Sequence, residues 1–145
     1  MFYNQNQKRD IIMQHYRYPI FKKNIKNDLL IEKFGESCSD YLKIEFQICN
    51  NTLTDIWFDG NGCAFFIASS DILIKQIINK NLNEIHYILN LFEKLILGDE
   101  LLSETEKEEL KELMIFENVK THFNRTHCCL MLQRLLKNEL NNKNE

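Results

Sequence analysis

Hydrophobic and polar residues alternate most clearly in the stretch from Tyr41 to Cys49. This period of two is typical of a β-strand with one face buried and the other facing solvent. The pattern therefore predicts a strand over these nine residues. Its inward-facing side chains would be Leu42, Ile44, Phe46 and Ile48.

Two further strands are predicted directly after this one. Asn50-Asn51 suits a tight turn, because asparagine tolerates positive φ. Thr52 to Phe58 would return as the second strand, and the glycine-containing turn 59–62 would lead into a short third strand from Cys63 to Ile67. The expected sheet, about 41–67, is a three-stranded antiparallel meander.

The rest of the chain shows the 3.6-residue period of amphipathic helices. An N-terminal helix is predicted at about 5–18, ended by Pro19. The helices of the second half, about 69–140, are expected to have boundaries at Ser69, Asn79, Asn83, Gly98, Ser103 and Thr126. Strands followed by helices predict an α+β fold, with the helices packed on one face of a small sheet.

Length and charge narrow the possible functions. The 145 residues suit a single domain, 1–145, and the net charge of −3 provides no basic surface for nucleic acid. No apolar run approaches the roughly 20 residues that a membrane span needs. The first residues lack the pattern of a signal peptide. We therefore expect a cytoplasmic protein that binds neither nucleic acid nor membrane.

The five cysteines are the main candidates for chemistry. Cys38, Cys63 and Cys128 each lie at the predicted end of an element, where side chains from different elements can meet. Cys49 ends a strand, and Cys129 points about 100° away from Cys128 on a helix. The separations of 25 and 65 residues form no C-x-x-C pair. These residues alone leave open ordinary thiols, metal ligands and reactive thiols.

Four segments, in order along the chain, resemble the IscU/NifU/SufU family of iron–sulfur cluster assembly proteins. Residues 60–70 resemble the family signature G-x-G-C followed by A-S, and residues 38–40 stand where the family has C-G-D. Residues 125–130 resemble its R-x-K-C-A-L, and residues 15–19 resemble its H-Y-x-x-P. The long stretch between Cys63 and Cys128, together with Arg125, is similar to the SufU branch.

The resemblance implies a zinc site formed by Cys38, Asp40, Cys63 and Cys128. It implies that Cys38 accepts persulfide sulfur from a cysteine desulfurase. Arg125 is a candidate for contacting this partner or steering the persulfide, and a plain surface arginine is the alternative. Three thiolates and a carboxylate suit tetrahedral zinc. The sulfur would then pass towards apo iron–sulfur proteins, so the chain would act as a zinc-dependent sulfurtransferase.

Two other roles remain open. Cys38, Cys63 and Cys128 could instead bind a transient [2Fe–2S] cluster on a non-enzymatic scaffold, or zinc could only hold the fold together. The chain also departs from the family pattern at several positions, which predicts a divergent member and leaves reduced activity open. These positions are Glu36, Ser39, Phe66, Asp71 and His127. His127 is in addition a possible fifth ligand.

Overall fold

The computed structural model describes residues 3–26, 31–35, 39–98 and 101–143, without the side chains of residues 123, 124, 142 and 143. In this part of the chain three strands form one antiparallel sheet in the order β1-β2-β3. They are β1 (Ile31–Phe34), β2 (Tyr41–Cys49) and β3 (Thr52–Asn61).

Helices pack against this sheet, so the predicted α+β fold class is confirmed. They are α1 (Gln5–Arg17), α2 (Ala64–Ile77), α3 (Leu82–Leu97), α4 (Glu104–Leu110), α5 (Phe123–Cys129) and α6 (Met131–Lys143). Two 3₁₀ segments, Lys111–Phe116 and Val119–Thr121, connect α4 to α5. None of the described helices combines the length and apolar character that a membrane crossing requires.

The core lies between the inner face of the sheet and α2. The register pairs Ile44 with Phe58 and Phe46 with Ile56, so these alternating residues share one face. Helix α2 contacts α1, β3, α5 and α6. It is apolar on nearly every side, as expected for a helix in the centre of a domain.

A buried pair joins α1 to α2. The His15 Nδ1 atom lies 2.6 Å from Asp71 Oδ2, and the other carboxylate oxygen of Asp71 accepts the Phe21 N–H at 2.7 Å. The chain after α1 then runs beside β3, where Phe58 donates to Phe21 and Lys23 donates to Phe58. Asp71 therefore fixes both the end of α1 and the segment that follows it.

Several local predictions are confirmed. Asn50 and Asn51 have φ values of 52° and 64° and form the turn between β2 and β3. Gly98 ends α3 with a φ of 69°, and Ser103 begins α4 with a reciprocal capping box. Each of these turn and capping residues determines the backbone conformation only within a few residues of itself.

The prediction of a third strand at Cys63 to Ile67 is wrong. Cys63 precedes α2, which begins at Ala64 and ends at Ile77, earlier at both ends than the predicted 69–79. A short apolar run fits a buried helix as well as a strand, and here Phe66 and Ile67 are buried within the helix. The third strand is β1, in a stretch to which the sequence pattern assigns no element.

Two predicted caps are also wrong. Asn81, rather than Asn83, caps α3 through a hydrogen bond to the Glu84 N–H. Thr126 lies inside α5, where its hydroxyl donates to the carbonyl of His122. The C-terminal helical region is therefore divided between α5 and α6.

Lys111 adopts a backbone conformation that glycine accommodates better. Its φ of 51° and ψ of −125° place it outside the regions that L-residues favour. We expect Lys111→Gly to raise the free energy of unfolding by about 1 kcal/mol, because relief of strain outweighs the added freedom of the unfolded chain. Urea denaturation would measure the change.

Lys107→Gly, in regular α4, is the matched control and should lower the free energy of unfolding by about 1 kcal/mol. Equal destabilisation by the two substitutions would contradict the strain at Lys111.

Candidate metal centre

Three of the four predicted ligands converge in space. One ligand atom from each of Asp40, Cys63 and Cys128 lies within 4.8 Å of the other two. They come from the residue before β2, the residue before α2 and helix α5. Two thiols and a carboxylate thus meet where three separate elements come together.

The pairing of β2 with β3 brings Asp40 to Cys63. The last paired residues are Tyr41 and Asn61, so the residues just beyond them are neighbours. The Cys63 N–H donates to Asp40 Oδ1 at 3.0 Å, and Cys63 Sγ lies 3.9 Å from Asp40 Oδ2. The buried Asp40 carboxylate therefore sits at the N-terminus of α2, where the helix dipole favours negative charge.

The two glycines before Cys63 have different structural reasons. Gly60 has a φ of 138°, and a Cβ there would lie 1.8 Å from the carbonyl oxygen of Tyr41. A Cβ on Gly62 would lie 2.4 Å from Asp40 Oδ1 and 2.4 Å from the Phe66 ring. Gly60 therefore allows the backbone at the end of β3 to lie close to Tyr41, and Gly62 leaves space for the Asp40 carboxylate.

The surroundings of Cys63 favour the ionised form of its thiol. A hydrogen bond from the Cys128 thiol, aided by the N–H groups of Phe66 and Phe65, lowers the pKa of Cys63 to about 6, although burial and the charge of Asp40 oppose this. An ionised thiol is the form that binds metal and attacks sulfur. Cys63 is therefore largely ionised at neutral pH.

Cys129 differs from its neighbour Cys128. Burial raises the pKa of the Cys129 thiol well above its ordinary value, and only 1% of the residue is exposed. The described group of candidate ligands includes Cys128 and not Cys129. Cys49 is exposed at the far end of β2, away from this group.

Cys38, the fourth predicted ligand and the predicted sulfur acceptor, lies outside the described residues, as does Glu36. The described residues on either side of residues 36–38 are connected, because the Gly35 N–H donates to the Asp40 carbonyl at 2.8 Å. This hydrogen bond joins the end of β1 to the start of β2.

The other predicted site residues lie around the group rather than in it. His127 Nδ1 is 3.0 Å from Arg134 Nη1, and His127 is not among the described converging ligands. The Arg125 guanidinium lies 4.6 Å from the centre of the Phe65 ring. It is exposed beside the start of α2.

Two of the departures from the family pattern have structural explanations. Phe66 is fully buried and packs in the core, against the space that Gly62 leaves. Asp71 is the partner of His15, a pairing that the sequence analysis missed because the residues are 56 positions apart. A buried acid in an apolar helix was the available signal, since such a group needs a partner.

The described donor set fits zinc. Zinc lies about 2.3 Å from thiolate sulfur and about 2.0–2.2 Å from carboxylate oxygen, so tetrahedral ligands are about 3.5–3.8 Å apart. The separation of 3.9 Å between Cys63 Sγ and Asp40 Oδ2 is close to this value.

The hydrogen bond between the two thiols gives a titration test. In metal-free protein we expect alkylation of Cys63 by iodoacetamide to follow a pKa of about 6. Cys128→Ala should raise this pKa towards that of an ordinary thiol, because the thiolate loses a hydrogen-bond donor. Mass spectrometry of the labelled peptides would measure both profiles.

Labelling of the exposed Cys49 is the internal control and should not change in Cys128→Ala. An unchanged Cys63 profile in the variant would contradict the proposed stabilisation.

Comparisons with known proteins agree with this geometry. Residues 7–129 match the family model described as the NifU-like N terminal domain. The zinc-dependent sulfurtransferase SufU of Bacillus subtilis is 23% identical over 92 residues, which are 63% of each chain. This alignment spans less than two thirds of that protein's length.

Two further relatives cover more of the chain. The iron–sulfur cluster assembly scaffold protein IscU of Thermotoga maritima is 24% identical over 72% of this chain and 70% of that protein. A crystal structure from Fervidobacterium islandicum AW-1, reported as a candidate scaffold protein of the SUF system, has a TM-score of 0.77 and 27% identity over 93% of both chains. The family match, the fold and the converging thiols lead to one conclusion: this chain belongs to the NifU-like N-terminal domain family.

Proposed function

We propose that the chain is a zinc-dependent sulfur acceptor of iron–sulfur cluster assembly. The observation that carries this proposal is the convergence of Asp40, Cys63 and Cys128 within 4.8 Å. The likeness to a relative named as a zinc-dependent sulfurtransferase supports it. Bound zinc would hold the thiols deprotonated, and therefore nucleophilic when released, at neutral pH.

Cys38 is the proposed fourth ligand and the sulfur acceptor. It is two residues from Asp40, so covalent geometry limits the distance between their Cα atoms to about 7 Å. The hydrogen bond between Gly35 and Asp40 closes the backbone on either side of it. A side chain within this range can reach the group formed by Asp40, Cys63 and Cys128.

The proposed reaction is sulfur transfer from the persulfide of a cysteine desulfurase. The Cys38 thiolate attacks the terminal sulfur of the partner's persulfide, the partner's S–S bond breaks, and the partner's cysteine leaves as a thiolate. The chain then carries the persulfide towards apo iron–sulfur proteins. Exposed Arg125, one helical turn before Cys128, is the proposed partner contact. Thiol chemistry of this kind suits the reducing cytoplasm.

A second candidate function is that of a scaffold for a [2Fe–2S] cluster. The relative from Thermotoga maritima named as a scaffold favours it, and the same cysteines would bind iron. Anaerobic reconstitution with iron and sulfide separates the two functions. A scaffold should then transfer its cluster to an apo-ferredoxin, whereas an acceptor should retain zinc and stimulate the desulfurase.

The metal site predicts the zinc content of purified variants. The unaltered protein should contain one zinc per chain, and Cys128→Ser should lose most of it, because metal affinity drops when one of four ligands is removed. Cys49→Ser removes an exposed thiol outside the site and should retain zinc. Elemental analysis would measure both, and equal zinc in the two variants would contradict the assignment.

The acceptor role predicts a selective loss in Cys38→Ala. This variant should fail to stimulate turnover of a cysteine desulfurase, because no thiol receives the sulfur. Cys49→Ala should stimulate as the unaltered protein does. Sulfide or alanine release would be measured beside the melting temperature of each variant.

Normal stimulation by Cys38→Ala would contradict the acceptor role. Loss of the folded domain in Cys38→Ala, without a separate effect on the partner, would instead indicate that zinc only maintains the structure.

A further inference from the structure

A cleft lies beside the metal centre, between α1, the start of α2, the 3₁₀ segment Val119–Thr121 and α5. Its volume is about 410 Å³. Small-molecule sites in proteins usually have about 300–1,000 Å³ and combine an apolar surface with a few polar groups. The size of the cleft therefore favours a small ligand over a folded partner.

The lining of the cleft is apolar inside and basic at the rim. Ile12, Met13 and Val119 contribute apolar surface, whereas Arg9 and Arg125 contribute positive charge. None of the described residues that line it is acidic. The chain as a whole carries more acidic than basic residues, so a lining of this kind does not follow from composition.

Two arginines supply the charge available to a ligand. Lys8 also lines the cleft, but it is buried and lies 2.7 Å from Glu117 in an ion pair. The ion pairs found among the described residues do not include Arg9 or Arg125, and both side chains are exposed. The ring of Phe65 holds the guanidinium of Arg125 in place.

The cleft and the metal centre share short segments of chain. Ala64 and Phe65 line the cleft and directly follow Cys63 in sequence. Arg125 precedes Cys128 by three residues, so the two lie on the same side of α5. A molecule in the cleft would therefore lie beside the group formed by Asp40, Cys63 and Cys128.

We propose that this cleft binds an anionic low-molecular-weight thiol that receives sulfur from the chain. The basic rim would attract the negative charge of the ligand, and the apolar interior would contact its carbon atoms. We expect a thiol because the neighbouring metal centre is proposed to take part in sulfur transfer. The inference rests on the proposed acceptor function. It adds a small-molecule recipient to the protein recipients considered above.

The transfer step balances without an oxidant or reductant. The thiolate of the small molecule attacks the terminal sulfur of the persulfide on the chain. The S–S bond to the protein cysteine breaks, and that cysteine leaves as a thiolate. The products are a small-molecule persulfide and the regenerated acceptor.

Binding is tested with S-methylglutathione, an anionic analogue that cannot accept sulfur. Titration of the zinc-containing protein, followed by NMR or calorimetry, should show saturable binding. Arg9→Glu should weaken it by about fivefold, as expected for reversal of one exposed charge. Arg17→Glu makes the same charge change on the exposed surface of the same helix, outside the cleft, and should bind as the unaltered protein does.

Transfer is tested with persulfide-loaded protein and two thiols, anionic glutathione and neutral 2-mercaptoethanol. The ratio of their sulfur-release rates should fall by about fivefold in Arg9→Glu and stay unchanged in Arg17→Glu. The ratio compares two thiols on the same variant. A general loss of structure would lower both rates and leave their ratio unchanged.

Absence of saturable S-methylglutathione binding would overturn the inference, and so would equal rate ratios in the two variants. Neither result would affect the proposed function, which is judged separately by zinc content and desulfurase stimulation. Saturable binding together with a selective fall of the ratio in Arg9→Glu would support the inference.

Discussion

The contact between the Asp40 carboxylate and the N-terminus of α2 is the interaction on which the site depends. The β2–β3 pairing ends at Tyr41 and Asn61, which places the carboxylate beside the first turn of the helix. The same helix terminus also stabilises the Cys63 thiolate through its free N–H groups. The Asp40 carboxylate and the Cys63 thiolate can lie 3.9 Å apart because backbone N–H groups and the Cys128 thiol offset their repulsion.

The rest of the fold holds α2 in position for this contact. Asp71, two turns into the helix, binds His15 of α1 and the backbone of Phe21, which connects α2 to both the N-terminal helix and the edge of the sheet. On its other side α2 packs against α5, which carries Cys128. The apolar surface of α2 thus packs in the core, whereas Cys63, the candidate ligand that this helix positions, lies directly before its first turn.

The sequence was sufficient wherever the signal was local. The alternation in β2, the two asparagines of the turn and the capping residues Gly98 and Ser103 act within a few residues of themselves. Strand β1 was not predicted, because a four-residue edge strand is held by its pairing with β2 rather than by its own pattern. The run after Cys63 was misassigned, because a short apolar segment suits either a strand or a buried helix.

The candidate site likewise depends on contacts between residues that are far apart in the sequence. The sequence spacing of Asp40, Cys63 and Cys128 did not predict that they lie close together. Only the resemblance of four motifs to the family suggested this. The pairing of His15 with Asp71 was missed, although a charged residue within an apolar helix indicated that a buried partner was needed. Long-range contacts of this kind follow from tertiary packing, which residue patterns specify only indirectly.

Zinc K-edge X-ray absorption of the purified protein would show whether Cys38, Asp40, Cys63 and Cys128 bind the metal. The proposed ligand set predicts about three sulfur neighbours at about 2.3 Å and one oxygen neighbour, with one sulfur fewer around the residual zinc of Cys128→Ser. A spectrum without sulfur neighbours, or one that Cys128→Ser leaves unchanged, would contradict it.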